Sequence, residues 1–318
     1  HKREPWYFNS GGNGSGLHIT HDGGETWKKL SSKEGLPEGD LGRIGIAIAP
    51  SSPNIVYAII ESKKNALYKS EDGGNNWKKI NDKNDIGGRP FYYSEIYVDP
   101  QNENRVYSIF TYVNVSEDGG KNFKQLMPAY GVSNGVHPDH HAWWIHPENG
   151  KFMIDGNDGG LNITKDGGKS WRFIENLPVA QFYHINVDNE YPYNVYGGMQ
   201  DNGVWYGKST NAPEDPWESL YGGDGMVVAV DTRNNDIVYT GSQFGNYVRI
   251  NKKTNERKRI TPGHDIGKAP NRWNWRTPAE LSYHNQDIVY MGSQYVYQSL
   301  DQGNTWTTIS PDLTKNQK

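Results

Sequence analysis

One eight-residue string recurs five times and constrains the fold more than any other feature of the chain. It reads Thr20-His-Asp-Gly-Gly-Glu-Thr-Trp27, Ser70-Glu-Asp-Gly-Gly-Asn-Asn-Trp77 and Ser116-Glu-Asp-Gly-Gly-Lys-Asn-Phe123. It returns as Thr164-Lys-Asp-Gly-Gly-Lys-Ser-Trp171 and Ser299-Leu-Asp-Gln-Gly-Asn-Thr-Trp306. The pattern suits a tight hairpin. Its carboxylate can accept backbone N–H groups of its own turn, its glycine supplies a conformation closed to other residues, and its aromatic packs between sheets. The boxes are therefore read as scaffold rather than as ligand contacts.

A second element precedes each box: an apolar strand, a polar turn, then a strand carrying Val-Tyr or a close variant. The pairs run from 44–49 to Val56-Tyr57, from 96–99 to Val106-Tyr107, and from 143–146 to Met153-Ile154. They continue from 185–188 to Val195-Tyr196, from 228–231 to Val238-Tyr239, and from 281–284 to Val289-Tyr290. Spacings of about 42–51 residues between Val56 and Val289 match one four-stranded propeller blade. Composition agrees, since 37 Gly against 12 Leu and 11 Ala starves helices and feeds turns and strands. Hydrophobic residues are only 34%, but 13% aromatics argue against disorder.

The expected fold class is all-β, a seven-bladed type of β-propeller built from four-stranded antiparallel blades with Asp-containing hairpins. Residues 1–318 are read as one propeller region. A partial blade 1 covers 1–30, with strands at 5–10, 16–20 and 27–30 and no innermost strand. Blades 2 to 7 are expected at about 44–80, 94–126, 141–174, 183–220, 226–260 and 279–309. Blades 5 and 6 lack the box and keep only a hairpin pattern in 205–220 and 248–259. The polar, Pro-interrupted tail after Ile309 is a poor closing strand. The chain is thus expected to be a piece of a longer one, or to be completed by a partner strand.

A formal charge of −4 provides no basic stripe for nucleic acid and no polybasic membrane face. No apolar run reaches the roughly 18–20 residues of a spanning helix. With Cys 0, disulfides, thiolate metal sites and cysteine nucleophiles are excluded. No phosphate loop follows a strand and opens a helix, so no cofactor is expected. His137, His140 and His141, with Asp139, resemble a metal cluster. Neighbours on a strand point to opposite sides, however, so structural roles are preferred and no metal is assigned.

Successive strands run antiparallel, so loops alternate between two faces. The turns between first and second strands are short and routine, which makes their face, shared with the boxes, structural. The opposite face collects the unusual chemistry, and loops on rigid scaffolds carry function. There Asp201 and Asp224, with Asp158 as a substitute, are candidates for the acid and base of a glycosidase, which needs carboxylates about 5–9.5 Å apart. Arg89, His137, His141, Gln200, Asn202, Gln243, Trp273 and Trp275 are candidate ligand-binding residues. Trp or Tyr would stack on sugar C–H faces while the polar groups satisfy hydroxyls. Trp273 and Trp275 would share a side if extended.

The five boxes resemble those of the Asp-box, or BNR-repeat, propellers, which include sialidases, xyloglucanase-type glycoside hydrolases and the sortilin ectodomain. Further stretches resemble secreted bacterial glycosyl-hydrolase-like or sortilin-like proteins. They include Ser10-Gly-Gly-Asn-Gly-Ser-Gly-Leu17, Leu41-Gly-Arg-Ile-Gly-Ile46, His140-His-Ala-Trp-Trp144 and Tyr196-Gly-Gly-Met-Gln-Asp-Asn-Gly203. Gly222-Gly-Asp-Gly225 and Ile309-Ser-Pro-Asp-Leu-Thr314 extend the likeness across the chain. The resemblance implies secretion or a bacterial cell-surface location. Arg43-Ile44-Gly45 departs from the Arg-Ile-Pro of sialidases, and the xyloglucanase aspartates find no match residue by residue. The leading expectation is binding of an extended ligand, most simply polysaccharide. Glycoside hydrolysis and a sortilin-like protein-interaction or assembly role are the alternatives.

Overall fold

A near-continuous apolar run around the Val-Tyr pair, as in Val56–Ile60, creates a strand that can be buried on both faces between neighbouring sheets. In the computed structural model these strands are the second of four in antiparallel sheets whose strands follow chain order. The described residues are 2–4, 7–177, 179–212 and 215–315. Six such sheets occur among them. Blade 2 runs from strand Ile44–Ile48 to Lys78–Asn81, blade 3 from Glu95–Asp99 to Lys124–Gln125, and blade 4 from His140–His146 to Arg172–Phe173. Blade 5 runs from Phe182–Val187 to Glu218–Tyr221, blade 6 from Ala229–Val230 to Glu256–Arg259, and blade 7 from Ala279–Leu281 to Thr307–Thr308. The fold is all-β, of propeller blades; the helical pieces are two short 3-10 turns, Ser32–Glu34 and Asn84–Ile86.

The chain forms two compact units, His1–Glu175 and Asn176–Lys318. Within the first, strand Ile44–Ile48 adjoins Glu95–Asp99, which adjoins His140–His146. Within the second, Phe182–Val187 adjoins Ala229–Val230, which adjoins Ala279–Leu281. First strands therefore form the inner edge of each set of blades. Between the blades lie the second-strand tyrosines: Tyr57, Tyr107 and Tyr196 are 0% exposed and Tyr239 is 1%. Burying such a side chain stabilises by roughly 1.5–3 kcal/mol. Tyr57 also reaches the next blade, where its hydroxyl donates to the Glu103 carbonyl at 2.9 Å.

The N-terminal segment differs from the expected three outer strands. Lys2–Glu4 pairs with Tyr7–Asn9, and His18–Ile19 pairs separately with Lys28–Lys29, giving two two-stranded ribbons. Residues 5 and 6 of the expected first strand lie outside the described residues. Leu17, Leu30, Leu36 and Leu41 carry this segment onto blade 2, where they share a core with Ala58, Ile60 and Trp77.

The boxes are closed hydrogen-bond units. In blade 3 the Ser116 hydroxyl donates to Asp118 at 2.8 Å and accepts Gly120 N–H at 2.8 Å. The Asp118 carboxylate also accepts Asn122 N–H at 3.0 Å and the Asn122 side-chain amide at 2.8 Å. Equivalent bonds recur around Asp22, Asp72, Asp166 and Asp301. These donors favour the charged form and hold all five carboxyls below the usual range, Asp72, Asp118 and Asp301 at about 2. A depressed folded-state pKa contributes stability above the ordinary value of 3.8, and that contribution is lost as pH falls through about 2. Asp118→Ala should therefore lower the urea midpoint at neutral pH, with its deficit against the parent shrinking over that acid interval. A deficit independent of pH would contradict the assignment.

Candidate functional site

In the first unit the 3-10 turn ends at Gly87, and the chain folds back so that Tyr92 and Tyr93 N–H both donate to the Arg89 carbonyl, at 2.9 and 3.1 Å. Arg89 pays for this turn with φ 51, a left-handed conformation unusual for a side chain of its size. The turn presents its aromatics as a row. Ring centroids of Phe8 and Phe91 are 4.3 Å apart, Phe91 and Tyr92 4.6 Å, Tyr92 and Tyr93 6.2 Å, and Tyr93 and His141 5.3 Å. Phe8 and Tyr92 are each 38% exposed. The Arg89 guanidinium lies 5.3 Å from the Tyr92 centroid and 5.1 Å from that of Tyr93, and Arg3 lies 5.4 Å from Tyr92.

Polar groups line the Tyr93 end of the row. The Tyr93 hydroxyl accepts from Arg89 Nη2 at 2.8 Å. Burial, followed by the hydrogen bond and charge of Asp139, pushes its pKa up. Asp139 has φ 64, and its carbonyl accepts Asp158 N–H at 3.2 Å. His141 Nε2 meets Asp158 Oδ1 at 3.0 Å, with both side chains partly exposed. His140 instead is buried, with Nδ1 2.8 Å from Asp155 Oδ1. The two histidines thus serve opposite sides of their strand. His137 packs behind the Asp158-Gly159 turn so closely that a Cβ on Gly159 would come within 2.6 Å of it.

A cleft of about 370 Å³ adjoins this loop, lined by Ser10, Ser15, Gly42, Arg43 and the glycines between them. Arg43 connects it to the row, donating to the Tyr92 carbonyl at 2.8 Å and to Glu95 at 2.6 Å.

The second unit gathers Gln200, Asp201, Asn202, Asp224 and Gln243. Asp201, with φ 60, is the middle residue of the turn between paired Met199 and Gly203. Its N–H donates to Asp224 Oδ1 at 2.9 Å, and Asp224 N–H donates to Gln243 Oε1 at 3.3 Å. Asn202 Nδ2 donates to the Gln200 carbonyl at 3.0 Å. Burial raises the Asp224 pKa; the Asp201 N–H opposes this, while the charge of Asp201 and a carboxyl–carboxyl hydrogen bond add to it. One direct link between the two residues is thus from backbone to carboxylate, with Asp201 N–H held by Asp224. What they join is the 199–203 turn and the 222–226 loop, which Gly225 N–H also links to the Met199 carbonyl at 2.8 Å.

Trp273 and Trp275 separate. Trp273 is partly buried against the core cluster that contains Tyr239, Tyr247 and Met291, close over Gly245. Trp275 remains 37% exposed in an edge contact of 5.3 Å with Phe244, itself 51% exposed at φ 58. Trp275 Nε1 also donates to the Tyr183 hydroxyl at 3.3 Å, and that hydroxyl bonds Gln200.

The face expected to be routine is not so in blades 5 and 6. A cavity of about 580 Å³ opens there beside Lys252, Tyr206, Glu190 and Glu218. Lys252 lies 4.9 and 4.5 Å from the Tyr196 and Tyr206 centroids and donates to the Tyr196 hydroxyl at 2.5 Å. Burial lowers its pKa against the opposing charges of Asp188, Glu190, Asp236 and Glu218.

Sequence reasoning named Arg89, His137, His141 and Asp158 but not Arg3 or Phe8, which complete the row. The available signal was the density of aromatics in 6–8 and 91–93, runs without strand alternation.

The chain thus combines five repeated boxes with antiparallel four-stranded sheets of propeller-blade type. The BNR/Asp-box repeat family model matches residues 18–29. No curated protein matches the sequence. Similar solved structures include a GH74 enzyme of Niastella koreensis, 14% identical over 85% of this chain and 59% of that one, with a TM-score of 0.36. YCF48 bound to D1 peptide is 14% identical over 90% of this chain and 84% of that one, with a TM-score of 0.36. The GH74 xyloglucanase of Xanthomonas campestris is 16% identical over 90% of this chain and 50% of that one, with a TM-score of 0.31. The chain spans only 59% and 50% of the two GH74 chains. Among the described residues, no helix is long and apolar enough to cross a membrane.

Proposed function

We propose that this chain is part of a secreted Asp-box propeller protein that binds an extended polysaccharide along the first unit. The observation carrying this reading is the row of five rings from Phe8 through Phe91, Tyr92 and Tyr93 to His141. Phe8, Phe91, Tyr92 and His141 have surface to offer to sugar C–H groups, with the buried Tyr93 packed among them, while convergent polar side chains fix orientation. Arg89, Asp139 and Asp158 supply such groups beside it. The side-chain-poor cleft reached through Arg43 offers room for the polymer to continue.

Affinity electrophoresis of the chain in gels containing soluble polysaccharides tests the reading. At least one polymer should retard it, and Tyr92→Ala and His141→Ala should each weaken that binding about tenfold. Both side chains are exposed, so their melting temperatures should remain close to the parent's. Retardation by no polymer, or undiminished retardation of both variants, would refute the proposal.

A further inference from the structure

We propose that the aromatic row takes an acidic polysaccharide, whose carboxylate or sulfate groups are read by Arg89 and Arg3; this inference rests on the polysaccharide reading above. A guanidinium carries five N–H donors in one plane, and stacking on a ring uses its face while leaving that edge for an anion. The Arg89 guanidinium carbon stands 5.3 and 5.1 Å from the ring centroids of Tyr92 and Tyr93. One of its donors goes to the Tyr93 hydroxyl at 2.8 Å. Its nearest carboxylate, Asp139, stands 3.8 Å away, too far for a direct hydrogen bond, and 53% of the Arg89 side chain is exposed. Donors therefore remain for a two-pronged bond to a carboxylate or sulfate.

Arg3 approaches the same ring at 5.4 Å and donates to the Tyr92 hydroxyl, so two guanidiniums attend the middle of the row. Arg43 is different: it is committed to Glu95 at 2.6 Å and to the Tyr92 carbonyl at 2.8 Å, and acts as a brace. The strained φ of 51 at Arg89 belongs to the turn that lifts this side chain over its own aromatic neighbours. At the far end Asp158, paired with His141, would repel an anion, whereas Asp139 stands beside Arg89 itself. The acidic groups of the polymer therefore belong beside Arg3 and Arg89, and neutral hydroxyls beside His141.

The test uses the full chain with polygalacturonate, dextran sulfate, neutral dextran and a neutral β-glucan. At least one acidic polymer should bind, with affinity falling as salt rises. Arg89→Gln should weaken binding at least tenfold, and Arg89→Lys, which keeps the charge but loses the fork, should fall between. Arg257→Gln, an exposed arginine of blade 6, should leave binding unchanged. Preference for polygalacturonate identifies uronate as the recognised group, and preference for dextran sulfate identifies the sulfate ester. Equal binding of neutral glucans, with Arg89→Gln silent, overturns the inference but leaves the polysaccharide reading standing. Equal losses in Arg89→Gln and Arg257→Gln also overturn it, as nonspecific charge attraction. Binding of no polymer removes both.

Discussion

Replacing Asp155 with alanine is expected to destabilise the first unit by about 3–5 kcal/mol, the cost of removing one member of a buried charged or hydrogen-bonded pair. Asp155 is 0% exposed and His140 2%. Oδ1 of Asp155 meets His140 Nδ1 at 2.8 Å, and Oδ2 accepts the Asn157 amide at 2.8 Å. Alanine would leave the buried His140 and the half-buried Asn157 without this acceptor. Asp155→Asn keeps one acceptor oxygen and should lose less. One residue further along, His141→Ala should stay within about 0.5 kcal/mol, because that ring is half-exposed. Urea unfolding followed by tryptophan fluorescence separates these cases, with Trp143 on the same strand as a reporter. Coincident midpoints for Asp155→Ala and His141→Ala would show that the buried pair does not hold blade 4.

The contrast between these neighbours explains what could be read from the sequence. Box turns were legible because their polar atoms are satisfied within eight residues, as the bonds from Ser116 to Asn122 show. The second strands were legible because a Val-Tyr pair or a close variant recurs along the chain, with Tyr57, Tyr107, Tyr196 and Tyr239 fully buried. The aromatic row was not. It joins residue 8 of the N-terminal ribbon and residue 141 of blade 4 to the irregular segment 91–93, so no spacing rule connects its members. The two tryptophans part for a related reason. Alternation holds only in a strand, and residues 271–278 are irregular, so Trp273 turns into the core while Trp275 meets Phe244. Loss of the boxes in blades 5 and 6 was visible; the cavity beside Lys252 was not, because its walls come from two blades.

Gly45→Ala should be strongly destabilising for a single-methyl change in the first unit. Gly45 lies on the inner strand of blade 2, with an ordinary backbone angle, so alanine brings no torsional penalty there. Space is the obstacle: a Cβ at this position would stand 1.7 Å from the Ser94 carbonyl oxygen and 3.0 Å from Ile59 Cγ2. The first contact is with backbone at the entrance to strand Glu95–Asp99, the inner strand of blade 3, so no side-chain rotation relieves it. Two inner strands must move apart, which opens the core formed by Ile59, Ile96 and Val98. Overpacking of this kind costs about 3 kcal/mol, and at roughly 2–4 °C per kcal/mol for a unit of this size the melting temperature should fall by about 6–12 °C. Gly88→Ala is the matched control: no heavy atom lies within 4 Å of its Cβ position, and its φ lies outside the left-handed region. It should melt within about 2 °C of the parent. Near-equal melting of the two variants would mean that blades 2 and 3 do not approach each other this closely at their inner edge.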